Sequence, residues 1–245
     1  RERGLVRPSR TPVVKAVVLA AGEGTRLRTL TDDKPKPLVE INGKTILERC
    51  FETVASVGAE EFVVVVGYMA DEIRERYGDE YNDIPVTYAR HDQRKGLAHA
   101  VLQAEPHVDD SFLLMHGDNV FAPSTHDDLH TAAHSEADAT LLVEEVPVER
   151  ARNSAVVVTE GDRVVDVVER DDHPPSRFAV VGFYSLPLSI FDACRRTEPS
   201  QRGEYELGDA LALLSNDIDV RPVRLDGERV NVNTTKDIER AESIV

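Results

Sequence analysis

The residues best suited to chemistry lie in a glycine-rich turn with two cations nearby. Leu19-Ala20-Ala21-Gly22-Glu23-Gly24-Thr25-Arg26-Leu27 directly follows an apolar run. Gly22 and Gly24 tolerate positive φ and let the backbone approach a ligand closely. Successive exposed N–H groups in such a turn form a nest for an anion. Arg26 adds a forked, permanently charged donor that suits phosphate. Further on, Lys36 stands between Pro35 and Pro37, which restrict the backbone that presents its ammonium. The chemistry implied is the cradling of a polyphosphate. A dinucleotide fingerprint is disfavoured, because Leu27 fills the third glycine position. A Walker loop is disfavoured too: Gly43-Lys44-Thr45 is present, but Leu38 stands where the first glycine should be.

A second candidate is Gly117-Asp118-Asn119, placed after the apolar segment Phe112–Met115. Ligands of open α/β sheets collect at strand C-termini. A carboxylate there, together with phosphate oxygens, suits a hard dication. Composition sharpens this reading. The chain has 245 residues, is 41% hydrophobic and carries a formal net charge of −16. That surface repels nucleic acid, so no nucleic-acid partner is expected. A phosphate site must then gather its own Arg and Lys. No apolar run is long enough to span a membrane. No secretory signal is visible, and Cys50 and Cys194 read as buried free thiols, which together fit a reducing cytoplasm. The spread acid fits a solubility surface for salty surroundings.

The elements that must position these residues alternate. Residues 1–12 read as a flexible basic tail. Strands are expected at 13–20, 62–66, 85–89, 112–115 and 139–146. Helices are expected at 44–57, 71–77, 96–103 and 129–134. This β-α alternation predicts a mostly parallel sheet with helices on both faces. After Val146 the pattern changes. Residues 155–159 and 163–168 form a hairpin around Glu160-Gly161-Asp162. Strands at 178–185, 218–225 and 229–232 and helices at 188–195, 205–214 and 236–244 follow. The expected division is a nucleotide-binding half, 13–146, and an antiparallel, substrate-facing half, 147–245, within a single domain.

Leu19–Leu27 with Lys34–Leu38 resembles the signature of the sugar-1-phosphate nucleotidyltransferases, which include glucose-1-phosphate thymidylyl- and uridylyltransferases. The resemblance runs from Val13 to the C-terminus. It implies a Rossmann-like three-layer sandwich of the GT-A-like kind, with an antiparallel sugar-binding part. It implies transfer of a nucleotidyl group from a nucleoside triphosphate, UTP or dTTP favoured, to a sugar 1-phosphate, glucose 1-phosphate favoured. By resemblance Leu19, Ala20, Ala21, Gly22, Gly24 and Thr25 wrap the triphosphate, Arg26 faces the leaving pyrophosphate and Lys36 faces the reacting phosphates. Gly96-Leu97-Ala98 matches the base-reading turn, but the position of the family's glutamine holds His91, with Gln93 nearby. Asp118 matches the aspartate that binds catalytic Mg2+. The second metal position falls on Asn231, with Asn233 able to replace it, where the family usually has aspartate. Sugar contacts fall on Glu169 and Arg170 (Arg for the family's Lys), on Asn153-Ser154 (for Tyr-Gly), on Gly182 behind Val181 (for Thr), and on Glu204. These departures keep a non-catalytic regulatory homologue in view. A glycosyltransferase is disfavoured, because Asp118-Asn119-Val120 lacks Asp-x-Asp. The resemblance also leaves room for a homo-oligomer.

Overall fold

The structure, a computed structural model, describes residues 14–22, 24, 27, 34–93 and 95–245. The expected tail, Thr25 and Arg26 therefore lie outside the described residues.

The first strand, β1 (Lys15–Ala20), is apolar on both faces. Ala16 and Val18 enter one core cluster, while Val17 and Leu19 enter the other. Alternating side chains of a strand point to opposite faces, so two cores demand a run with no polar face. Two short strands, β2 (Glu40–Ile41) and β3 (Lys44–Thr45), precede helix α1 (Ile46–Ser56). The helix was expected to begin at Lys44, but it starts two residues later. Thr45 Oγ1 accepts from the Glu48 N–H at 3.0 Å, and Glu48 Oε2 accepts from the Thr45 N–H at 2.6 Å. That reciprocal capping box fixes the start.

Next come β4 (Glu61–Val66), α2 (Ala70–Tyr77), β5 (Glu80–Tyr81), β6 (Ile84–Arg90), α3 (Leu97–Leu102), β7 (Phe112–His116) and β8 (Asn119–Phe121). Then follow α4 (His126–Ala133), β9 (Ala139–Glu145), α5 (Val148–Ala151), β10 (Ala155–Glu160), β11 (Arg163–Glu169) and β12 (Phe178–Leu186). The chain closes with α6 (Ser189–Arg196), α7 (Leu207–Asp217), β13 (Val220–Arg224), β14 (Arg229–Asn231) and α8 (Thr235–Ile244).

The main sheet runs β11-β10-β12-β7-β1-β4-β6-β5, with β9 beside β12 and β13 beside β9. β1, β4, β6 and β7 are mutually parallel, as the β-α alternation predicts. β12 runs antiparallel to β7 and β9, and β10 and β11 form the expected hairpin. β13 breaks the antiparallel pattern expected after Val146, since it pairs parallel with β9. The helices α6 and α7 link β12 to β13 and carry the chain to the other edge of β9, where β13, opposite in direction to β12, runs parallel to β9. Cys50 and Cys194 are free and buried. No helix among the described residues is long and apolar enough to cross a membrane.

Candidate active site

The cleft lies across the C-terminal ends of the parallel strands, where the sequence predicted it. It has two lobes. One, of about 430 Å³, is lined by the β1 turn, Lys36, His91, Gly96 and Leu97. The other, of about 740 Å³, is lined by Asn153, Ser154, Glu169, Arg170 and Asn231. Both share Leu97, His116, Asp118 and Glu204. The sheet order sets the layout of the cleft. His91 follows β6, the glycine turn follows β1, Asp118 follows β7, and Glu169 ends β11.

Local folding explains each placement. Lys36 opens a single 3-10 turn, Lys36–Leu38, behind Pro35. The Val39 N–H donates to the Lys36 carbonyl at 3.1 Å, and the Ile46 N–H donates to the Val39 carbonyl at 2.9 Å, which ties this turn to α1. Lys36 is 7% exposed, yet its ammonium donates to Asp118 Oδ2 at 2.9 Å and to Asn233 Oδ1 at 3.2 Å. Asp118 sits in the turn between β7 and β8. Its neighbour Gly117 has no substitute, because a Cβ there would lie 2.6 Å from the Leu19 carbonyl oxygen. β14 pairs with β8, and the Val232 N–H donates to the Asp118 carbonyl at 2.8 Å. These bonds bring Asn231 to Asp118, with Asn231 Nδ2 donating to Asp118 Oδ1 at 3.3 Å. Asn233 Nδ2 in turn donates to Asn231 Oδ1. The Asn233 N–H is held by Asp237, which forms a capping box with Thr234 at the start of α8.

Burial alone would push the Asp118 carboxyl up. Lys36, then His116 and Arg229, reverse this and hold it below its ordinary value. The group is thus an anion ready for a cation. His116 is pushed down, first by burial and then by Arg229 and Lys36. Its ring meets the Tyr184 hydroxyl at 3.3 Å. Gly182, expected against the sugar, lies under this floor. A Cβ on it would come within 2.6 Å of the His116 ring and 2.7 Å of Asn119 Nδ2.

The other lobe is built around acids. Glu169 is pushed up by burial and then by Glu206, with partial relief from the Gly208 N–H. Glu206 is held by Ser200 Oγ at 2.9 Å and Arg202 Nη2 at 2.5 Å. Arg170 follows in the left-handed region, at φ +43°, and lines the same lobe. A raised carboxyl makes the folded state bind more protons than the unfolded one. Its cost to stability is absent below the ordinary value of 4.5 and grows as pH rises through the raised one. Glu169→Gln is therefore expected to melt a few degrees above wild type at pH 8. The gap should close near pH 4, as read by calorimetry, and an equal melting point at pH 8 would contradict the assignment.

The loop carrying Gly96 and Leu97 is pinned to the second half of the chain. The Tyr205 N–H donates to the Lys95 carbonyl at 2.7 Å, and the Ala98 N–H donates to the Tyr205 carbonyl at 3.0 Å. Gly96 has φ +100°, and a Cβ on it would lie 2.4 Å from the Tyr205 oxygen. The described members of the expected set therefore line the cleft, except for two. Gly182 packs beneath it, and Gln93 is exposed and lines neither lobe. The resemblance matched the stretches that hold His99, Tyr184, Arg202 and Glu206 without giving these side chains a role of their own, and sequence reading overlooked His116 and Arg229. Only His116 carried a signal, as the last residue of a strand before Gly-Asp.

The sequence profile described as nucleotidyl transferase matches residues 15–226. The chain belongs to the nucleotidyl transferase family. The transferase is 45% identical over 231 residues to the UTP–glucose-1-phosphate uridylyltransferase AglF of Haloferax volcanii, covering 94% of this chain and 95% of that one. It is 33% identical over 217 residues to a glucose-1-phosphate thymidylyltransferase of Streptomyces antibioticus, covering 87% of the transferase and 61% of the relative. Its fold matches that of a UDP-glucose pyrophosphorylase solved with UDP-glucose. The TM-score is 0.85 at 24% identity, over 95% of this chain and 98% of that one.

Proposed function

We propose that this chain transfers a uridylyl group from UTP to glucose 1-phosphate, giving UDP-glucose and pyrophosphate. The observation that carries the proposal is the Lys36–Asp118 pair at the junction of the two lobes. In this reading the base lies toward His91, Gly96 and Leu97. The triphosphate lies over Leu19, Ala20, Ala21, Gly22 and Gly24, with Thr25 and Arg26 assigned to it by family resemblance. The sugar lies toward Glu169, Arg170, Asn153, Ser154 and Glu204. The similarity to AglF supports the choice of uracil and glucose.

The reacting groups are both anions. A phosphate oxygen of the sugar 1-phosphate attacks the α-phosphorus in line. The new O–P bond forms as the bond to the β-phosphate's bridging oxygen breaks, and that oxygen leaves with pyrophosphate. No covalent enzyme intermediate and no general base are needed. The chain's tasks are alignment and neutralisation of charge. Lys36 reaches the shared floor of the cleft. The glycine turn offers backbone N–H groups.

The residues present fit Mg2+. Among the described residues no group of three or more His, Cys, Asp or Glu could hold a metal alone. One carboxylate, an amide oxygen and substrate phosphates form the donor set that this ion takes beside nucleotides. Asp118 and Asn231 would hold it, the Asn231 amide turning over to present its oxygen. When bound, it would neutralise charge on the phosphates of both substrates. Asn231→Asp, which adds a charge to the donor set, is expected to lower the Mg2+ concentration for half-maximal rate by roughly tenfold. A titration showing no change would remove Asn231 from that set.

The deciding experiment is pyrophosphate release from each of five nucleoside triphosphates with several sugar 1-phosphates, with Mg2+ and with chelator. UTP with glucose 1-phosphate should be fastest, and chelator should abolish the signal. No release with any pair would refute the proposal.

A further inference from the structure

His91 is 7% exposed and lines the lobe assigned to the nucleotide. Its Nε2 lies 2.9 Å from Nδ1 of His99, in the first turn of α3, with the ring centroids 5.0 Å apart. His99 lies against Tyr205, at 6.5 Å between centroids, on the segment pinned to the Gly96 loop. His91 is also fixed by its backbone, since its N–H donates to the Val66 carbonyl at 2.8 Å. With Nε2 engaged, Nδ1 is the ring nitrogen of His91 left for a ligand.

We propose that His99 is a positioning residue for base choice. It locks His91 in the Nε2–H tautomer, so that His91 Nδ1 presents only a hydrogen-bond acceptor to the base. This inference rests on reading the lobe as the nucleotide site.

Two neutral histidines joined through Nε2 and Nδ1 have two arrangements. In one, both rings carry their proton on Nε2, the tautomer that free imidazole side chains favour. In the other, both carry it on Nδ1. The first is the lower in energy and makes His91 Nδ1 an acceptor. Uracil and thymine offer an N3–H at their pairing edge, which that acceptor satisfies. Cytosine offers a bare N3, which faces it lone pair to lone pair. A polar group left unpaired in a buried site is what gives a pocket large discrimination. An unlocked imidazole could change tautomer and serve either edge.

The surroundings favour the neutral pair. Burial, followed by His99, pushes His91 down against the opposing pull of Asp92, and burial, followed by Lys95, pushes His99 down. Tyr205 packs on His99, and Glu204 lines the same lobe. Both rings therefore stay neutral to a lower pH than an ordinary histidine does. Protonation turns both outer nitrogens into donors, and the acceptor is lost.

The test compares wild type with His99→Phe, which keeps a ring on Tyr205 but has no nitrogen to fix His91. The wild type should prefer UTP to CTP by at least about a hundredfold in kcat/KM, with KM for UTP rising at acid pH while kcat does not follow. His99→Phe should raise KM for UTP about tenfold, with the loss in KM rather than kcat, and narrow the UTP-to-CTP ratio at least tenfold. An unchanged ratio in folded His99→Phe would overturn the inference while leaving the uridylyl transfer intact. If no triphosphate turns over, the functional reading fails instead. Imidazole ¹⁵N shifts of the wild type give a measurement free of any folding defect. They should show His91 protonated on Nε2, and protonation on Nδ1 would equally overturn the inference.

Discussion

Lys36→Met is expected to lower kcat about 10²- to 10³-fold. Removing one preorganised donor aimed at developing charge costs about 2.7–4 kcal/mol in the barrier. Here the loss is double. The phosphates lose a cation held 7% exposed in the cleft, and Asp118 loses the ammonium 2.9 Å away. Burial is the largest influence on Asp118, and Lys36 is the foremost of those that outweigh it. Without Lys36, burial raises the carboxyl. Sign and window follow. Wild-type Asp118 ionises below its ordinary value of 3.8, so its anion persists down to acid pH. In the variant, the acid limb of the rate profile should shift to higher pH. Lys36→Arg should recover part of kcat, because it keeps the charge but not the reach. Steady-state rates from pH 4 to 9 on protein shown to be folded would check this. A kcat within threefold of wild type would remove Lys36 from the reaction.

The second large effect concerns stability. Arg229 is 8% exposed and lies under the cleft, where Nη1 donates to Asn119 Oδ1 at 2.7 Å and Nη2 to Glu144 Oε1 at 2.8 Å. Its Nε has no partner among the described residues. Burial pushes the guanidinium down, and Glu144 opposes it. Removing one member of a buried ion pair costs about 3–5 kcal/mol, because the other charge stays behind. Glu144 keeps a second partner, Arg150, at 2.6 Å, so the lower end applies to Arg229→Met. In a chain of this size, about 3 kcal/mol lowers the melting temperature by roughly 6–12 °C. Activity should fall as well, since Arg229 begins the strand that delivers Asn231. Adding Glu144→Gln to Arg229→Met should restore part of the lost stability, the mark of a coupled pair. Additive losses in that double-mutant cycle would show that Arg229 acts through packing alone.

Much of this fold could be read from the sequence. Val17, Val18 and Leu19 have no polar face, so their strand had to be covered on both sides. The turn after it announced an anion site through Gly22 and Gly24. Asp118 was legible because a carboxylate after an apolar strand stands where such sheets bind ligands. The remainder depended on pairings that no local pattern encodes. Asn231 meets Asp118 only because β14 zips onto β8, and Val181 gives the Asn119 side chain its acceptor, at 2.8 Å, from a distant strand. Gly182 was placed against the sugar by the resemblance alone, and the side chains that press on the space of its missing Cβ are His116 and Asn119. His99 read as one polar residue of a helix until its ring was seen on His91. β13 follows β12 through α6 and α7 and lands on the far edge of β9, a parallel placement that the antiparallel stretch before it did not announce.

The sheet order has a consequence for size selection. Neighbouring strands are spaced about 4.8 Å apart. Three such steps, on the order of 14 Å, separate the strand before His91 from the strand before Asp118. The cleft is thus a ruler engraved on a hydrogen-bonded lattice, and its graduations cannot slide without breaking the sheet. In the proposed reading this span sets the distance from the base to the reacting phosphate, so a ligand with a longer or shorter link between them would leave one terminus out of register.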